Sequence, residues 1–220
     1  MLKDNQRVIL FVNGDLPEPE KLHTRLLPTD ILIAVDGGLR HIVSLGLTPD
    51  LILGDLDSAI PEDVQKFEAQ GVPVRRYPIA KDETDLELGI LAALEHHPQT
   101  IWIVAAIGGR LDQTLGNILL LTQASLTDID VRLMDGSQEV FLIRDHAVIT
   151  GQPGQTVSLL PLMGPVPGVL TDKMAYPLNH ETLYPDRTRG ISNLMTTTTA
   201  SVTIDSGILL CIHTFNTTNQ

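Results

Sequence analysis

Apolar residues come in short runs separated by Gly, Pro, Asn and Asp, and the rhythm of these runs changes part-way along the chain. In the first part, unbroken apolar runs at 7–12, 31–35, 51–53, 101–106 and 131–134, with a strand-like stretch at 72–77, predict β-strands, mostly buried on both faces. Helices are predicted between them, at 18–26, 39–45, 61–70, 84–96 and 115–121, the last starting near Asp112. The third opens with Pro61 in its first turn and stops at Gly71. The fourth places Leu86, Ile90, Leu91 and Leu94 on one face. Such alternation argues for a parallel sheet covered by helices on both sides.

Beyond Met134 the helical period disappears. Candidate strands follow one another at 139–143, 146–150, 156–160, 168–171, 181–184, 201–205 and 208–213, separated by turn residues. Thr196 to Thr199 reads as part of a hairpin. This half predicts a β-sandwich or small barrel. The fold class is therefore α/β plus all-β, an N-terminal parallel-sheet α/β domain over 1–130 followed by a C-terminal β-sandwich domain over 138–220.

Composition narrows the function classes. The 220 residues are 43% hydrophobic but only 4% aromatic, so Leu, Ile and Val must build the core. A formal net charge of −12 disfavours a nucleic-acid backbone as partner. Cys211 is the sole cysteine, which excludes an internal disulfide. The polar residues 1–5 lack a signal-peptide pattern, and no apolar run nears the ~20 residues of a membrane span, so a cytoplasmic protein is expected.

Three strands of the first half end in the same chemistry: IAVDGG, LILGDLDS and VAAIGGRLDQ. Each sets Gly and Asp just past the carboxyl end of a strand, where open α/β sheets bind ligands. Asp55 and Asp57 are two residues apart and, in an extended stretch, point the same way; a cation between them would relieve their repulsion. The alternatives are an Asx-turn leading to the helix at Pro61, or a phosphohydrolase with Asp55 as nucleophile and Asp57 as acid. KDETDLE places Asp82, Glu83 and Asp85 at a helix start, where Asp82 and Asp85 read as a capping pair or Asp85 completes a metal site with Asp55 and Asp57. Lys81 could neutralise a phosphate. Arg110, in a glycine-rich turn, suits two phosphate oxygens, and Asp112 caps the next helix or joins the site. Neither a Walker A loop nor a dinucleotide fingerprint is present. The histidines show no metal-ligand spacing.

Taken together, VDGG, PDLILGDLDS, KDETDLELGI and IGGRLDQTLGN resemble the thiamine pyrophosphokinase family in order and spacing over residues 31–117. GVLTDKMAYPL at 168–178 and GISN at 190–193 resemble its thiamine-binding β domain more loosely, with Tyr176 where some members carry Trp. The resemblance implies pyrophosphoryl transfer from ATP to thiamine with Mg2+, AMP as by-product, and a homodimer with thiamine held between subunits. Carried over by motif position, it implies Asp36, Asp55, Asp57, Asp85, Arg110 and Asp112 as catalytic residues, with Asp55, Asp57 and Asp85 on the metal. Lys81, Arg110, Asp112 and Gln113 then face the nucleotide, and Tyr176, Ser192 and Asn193 face thiamine. A pyrophosphokinase for another alcohol such as a hydroxymethylpterin, the phosphohydrolase, and a non-catalytic thiamine sensor are the competing readings.

Overall fold

A computed structural model describes residues 6–80 and 82–217 of the chain. The expectations resting on residues 1–5 and on Lys81 lie outside the described residues. The chain divides into two compact units, 1–136 and 137–220.

The first unit holds six strands: β1 Arg7–Phe11, β2 Ile31–Val35, β3 Leu51–Gly54, β4 Val74–Arg76, β5 Thr100–Val104 and β6 Asp130–Met134. They run parallel in the order β6-β5-β1-β2-β3-β4. Their central members are buried on both faces, as their unbroken apolar runs require: Val8 to Leu10, Ile33, Ile52, Ile101 and Ile103 are all fully enclosed. Edge strand β4 is instead basic, and Arg75 and Arg76 pair with Glu95 and Glu68, which keeps its open side polar.

Five helices join the strands: α1 Pro19–His23, α2 Leu39–Ser44, α3 Pro61–Ala69, α4 Asp85–Leu94 and α5 Leu111–Leu120. The first is shorter than its sequence suggests, one turn with only Leu22 buried. The cap of α4 also differs from expectation. Thr84 and Glu87, not Asp82 and Asp85, form the capping box: Thr84 Oγ1 accepts from the Glu87 N–H at 3.3 Å, and Glu87 Oε2 accepts from the Thr84 N–H at 2.9 Å. Asp85 lies in the first turn of α4 without being part of that box.

Sequential strands run outward from β1 to β4, and the chain then returns to place β5 on the other side of β1. The order reverses between β1 and β5, so the connections leaving their carboxyl ends run to opposite sides and leave a crevice above the paired strands. Main-chain bonds set its floor: Val12 N–H donates to Val104 O (3.0 Å) and Gly14 N–H to Ala105 O (2.9 Å).

The second unit is a β-sandwich. Strands β12 Asn193–Leu194, β9 Gln155–Pro161, β14 Leu209–Thr217 and β7 Gln138–Ile143 lie side by side, antiparallel, in that order. The facing sheet is β11 Glu181–Leu183, β10 Val166–Asp172, β13 Thr199–Thr203 and β8 His146–Thr150. Alternate residues of both, among them Phe141, Val157, Leu159, Val169, Val202 and Cys211, form one core. One polar cluster is enclosed: His213 Nδ1 faces Glu139 Oε1 at 3.0 Å and Nε2 faces Gln155 Oε1 at 2.9 Å. No helix among the described residues is long and apolar enough to cross a membrane.

Candidate active site

An open cavity of about 650 Å³ sits at the reversal point between β1 and β5. That is ample for a nucleotide-sized ligand. Asn13 and Gly14 after β1, Asp36 after β2, Ala105 and Gly108 after β5 all reach it. Three residues at these strand ends, Asp36 (φ 49°), Leu56 (φ 62°) and Ala105 (φ 61°), take left-handed backbone conformations without being glycine. Strain of this kind collects where a site dictates the backbone.

Leu56 sets the geometry of Asp55 and Asp57. The stretch is not extended. Its left-handed turn lets Asp55 Oδ1 accept from the Asp57 N–H at 3.1 Å, an Asx-turn. Ser58 Oγ then donates to Asp57 Oδ1 at 3.0 Å. The turn and a shared ligand position turn out to be compatible: carboxylate oxygens of Asp36, Asp55 and Asp57 all lie within 4.8 Å of one another. Three such groups can converge on one cation.

Asp36 is the buried member, 8% exposed, and its Oδ1 has no hydrogen-bond partner. Burial pushes its pKa up, and the nearby Asp85 charge adds to this, while hydrogen bonds from Gly37 and Ser58 work the other way. An enclosed carboxylate with an empty acceptor, among further carboxylates, has the donor set a hard divalent cation needs. Asp85 lines the same cavity, and the three-carboxylate cluster contains Asp36 in its place.

The glycines of VDGG serve packing before ligand approach. A side chain at Gly38 would run into the Phe11 carbonyl, so α2 starts hard against β1 only because that position is bare.

Across the cavity, Gly108 (φ 90°) and Gly109 (φ 64°) turn the chain into α5. Arg110 is the N-cap residue. Its Nε donates to Asp112 Oδ1 (3.1 Å) and its Nη2 to Oδ2 (2.5 Å), which lowers the Asp112 pKa and raises that of Arg110. Both side chains are exposed, so solvent screens the pair and a phosphate can compete for the fork. Asp112 and Gln113 line the cavity.

A family model described as thiamin pyrophosphokinase, catalytic domain, matches residues 23–133, and one described as thiamin pyrophosphokinase, vitamin B1 binding domain, matches residues 145–209. The chain belongs to the thiamine pyrophosphokinase family. A thiamine pyrophosphokinase of Bacillus subtilis (strain 168) is 30% identical over 182 residues, 82% of this chain and 85% of that protein. A crystal structure of thiamine pyrophosphokinase from Bacillus subtilis superposes with a TM-score of 0.86 at 27% identity, covering 96% of this chain and 100% of the other. The thiamin pyrophosphokinase of Candida albicans shares the fold at a TM-score of 0.80 and 19% identity, with 96% and 90% covered. Family membership places the chain among transferases of the kinase type.

In the family's vitamin-binding unit, Tyr176 is exposed and Ser192, at φ 58°, lies on the surface beside β12. Asn193 is different. It is buried, its Oδ1 accepts from the Tyr176 N–H and its Nδ2 donates to the Tyr176 carbonyl, at 2.9 and 2.7 Å. Its carboxamide braces the loop that presents Tyr176.

Sequence reading missed Asn13, Thr84 and Asn117, which line the cavity, and Arg40, which grips Asn13. Asn117 Nδ2 donates to the Ala106 carbonyl at 2.8 Å, a bond that fixes its oxygen limb. The NG after β1 was legible as a turn; nothing local marks Arg40.

Proposed function

We infer that the chain transfers the pyrophosphoryl group of ATP to the thiamine hydroxyl, giving thiamine diphosphate and AMP, in the cavity between β1 and β5. The observation that carries this is the carboxylate cluster of Asp36, Asp55 and Asp57 with an unfilled buried acceptor at the sheet's reversal point. ATP is an anion and the cluster is acidic, so the two need a divalent cation between them. Asp36, Asp55 and Asp57 would hold Mg2+, with Asp85 beside them. When bound, the ion neutralises phosphate charge and polarises the phosphorus under attack.

The chain's own residues do the rest. Arg110 leaves Asp112 for the phosphates and steadies the charge that develops as AMP departs. Gln113 and Asp112 bound the nucleotide on the α5 side. Tyr176 and Ser192 contact thiamine, and Asn193 holds Tyr176 in place. Purified protein given thiamine, ATP and Mg2+ should form AMP and thiamine diphosphate in equal amounts. Thiamine-independent phosphate release would support the phosphohydrolase instead, and turnover of a hydroxymethylpterin but not thiamine would support the other pyrophosphokinase.

The functional unit in this reading is a homodimer with thiamine between subunits. Helix α5 supplies the support. Its Gln113, Gly116 and Asn117 side lines the cavity, while Leu111, Leu115 and Leu119 form a stripe that is 70%, 52% and 49% exposed. A helix with no buried residue and an apolar stripe fits a second copy across a twofold axis. Leu115→Asp should shift the sedimentation mass from dimer to monomer and lower activity in step. A variant that remains dimeric would remove α5 from the interface.

A further inference from the structure

The loop after β1 is held by a device that the transfer reaction alone does not explain. Arg40, on α2, sends three bonds into it. Its Nη1 donates to Asn13 Oδ1, and its Nη2 donates to the Asn13 carbonyl at 3.0 Å and the Gly14 carbonyl at 2.7 Å. The adjacent His41 donates from Nε2 to the same Gly14 carbonyl at 2.9 Å. Burial lowers the His41 pKa, in keeping with a neutral ring donating one hydrogen bond.

A guanidinium only donates, so the limb of Asn13 facing Arg40 must be its oxygen. The amide nitrogen is thereby assigned to the other limb. Asn13 is exposed, and its Nδ2 makes no hydrogen bond to another described residue. The carboxamide lies in the space left by the missing side chain of Gly37, one residue from Asp36, and a Cβ at Gly37 would overlap it. Asn13 and Asp36 line the same cavity.

We propose that Arg40 is a positioning residue and Asn13 a nucleotide-binding residue: Arg40 locks the Asn13 carboxamide so that Nδ2 donates to a phosphate oxygen of the nucleotide beside the carboxylate cluster. This rests on the reading of the cavity as the ATP site. The chemistry suits the place. The phosphates meet carboxylates on one side, so a neutral donor there binds phosphate without competing for the cation. Three of the five Arg40 N–H groups donate to loop oxygens, so its part is to hold the loop.

Variants at the two positions separate donor from clamp. Asn13→Asp keeps an oxygen towards Arg40 and replaces the donor by an acceptor. It should retain the wild-type melting temperature and raise the KM for MgATP by about tenfold or more, the scale of one hydrogen bond to a charged group. Arg40→Ala should raise that KM similarly, Arg40→Lys should not rescue it, and Arg40→Ala with Asn13→Ala should be no worse than Asn13→Ala alone. Competition by tripolyphosphate should weaken in Asn13→Asp, whereas competition by adenosine should not. A wild-type KM for MgATP in Asn13→Asp overturns the proposal. So do multiplicative losses in the double variant, which would give Arg40 a role of its own. If Asp55→Asn also leaves ATP turnover intact, the cavity reading falls first and this inference with it.

Discussion

Asp55→Asn, Asp57→Asn and Asp36→Asn should each lower turnover by about 100-fold or more, the scale of removing a major electrostatic stabiliser. The three variants differ in what they do to stability, and this makes the result diagnostic. Asp57 is exposed and Asp55 half-buried, so their exchange should leave the melting temperature nearly unchanged. Asp36 is enclosed, carries an unpartnered oxygen and holds its charge against burial and the Asp85 carboxylate. Removing that charge should raise the melting temperature of the metal-free protein even as activity collapses, a trade-off expected where a site keeps strain for function. Asparagine is the right probe because it tolerates φ 49°, which alanine does not. The pH dependence follows the same sign. With the folded pKa of Asp36 raised above 3.8, the native state holds more protons than the unfolded chain between the two values. Its contribution therefore falls as pH rises from about 3.8 through the folded value, and Asp36→Asn should abolish that fall. Wild-type turnover in all three variants would remove the metal site. An Asp36→Asn protein less stable than its parent at neutral pH would show that burial of this carboxylate is compensated.

The strands of the first unit were legible because their unbroken apolar runs leave no other place than the middle of a parallel sheet. Every predicted strand there has a counterpart within two residues or so at each end. The second unit read nearly as well; β12 escaped because two residues carry no period. The site was legible as a list of motifs but not as a geometry. An extended backbone would point Asp55 and Asp57 the same way, but it is the left-handed turn at Leu56 that brings them together. Asp85, expected from the KDETDLE motif to share a metal site with the pair, lines the same cavity. The residue whose oxygens converge with theirs is Asp36, because β2 and β3 are hydrogen-bonded neighbours and end side by side. Strand adjacency is a property of the fold, so spacing along the chain could not rank Asp36 against Asp85. Arg40 and Asn13 were missed for the same reason: they stand 27 residues apart in sequence and meet only after α2 has packed on β1.

Arg110→Lys should remain impaired by about tenfold or more in kcat, although charge is conserved. Arg110 already displays the geometry that this requires. Its Nε and Nη2 grip both oxygens of Asp112 at once, the side-by-side pattern that a phosphate also offers. A lysine ammonium can neutralise one oxygen but cannot span two, so the charge shared over the departing AMP oxygens would be held at a single point. The glycines at 108 and 109 aim the fork, and the start of α5 adds its own positive end behind it. Because the Arg110–Asp112 pair is exposed, it should contribute little to stability, and the lysine variant should unfold at the wild-type temperature. A drop in kcat at constant melting temperature therefore isolates the transition-state role. Full activity in Arg110→Lys would show that only charge is needed at this position, and the fork would then be a feature of the resting protein alone.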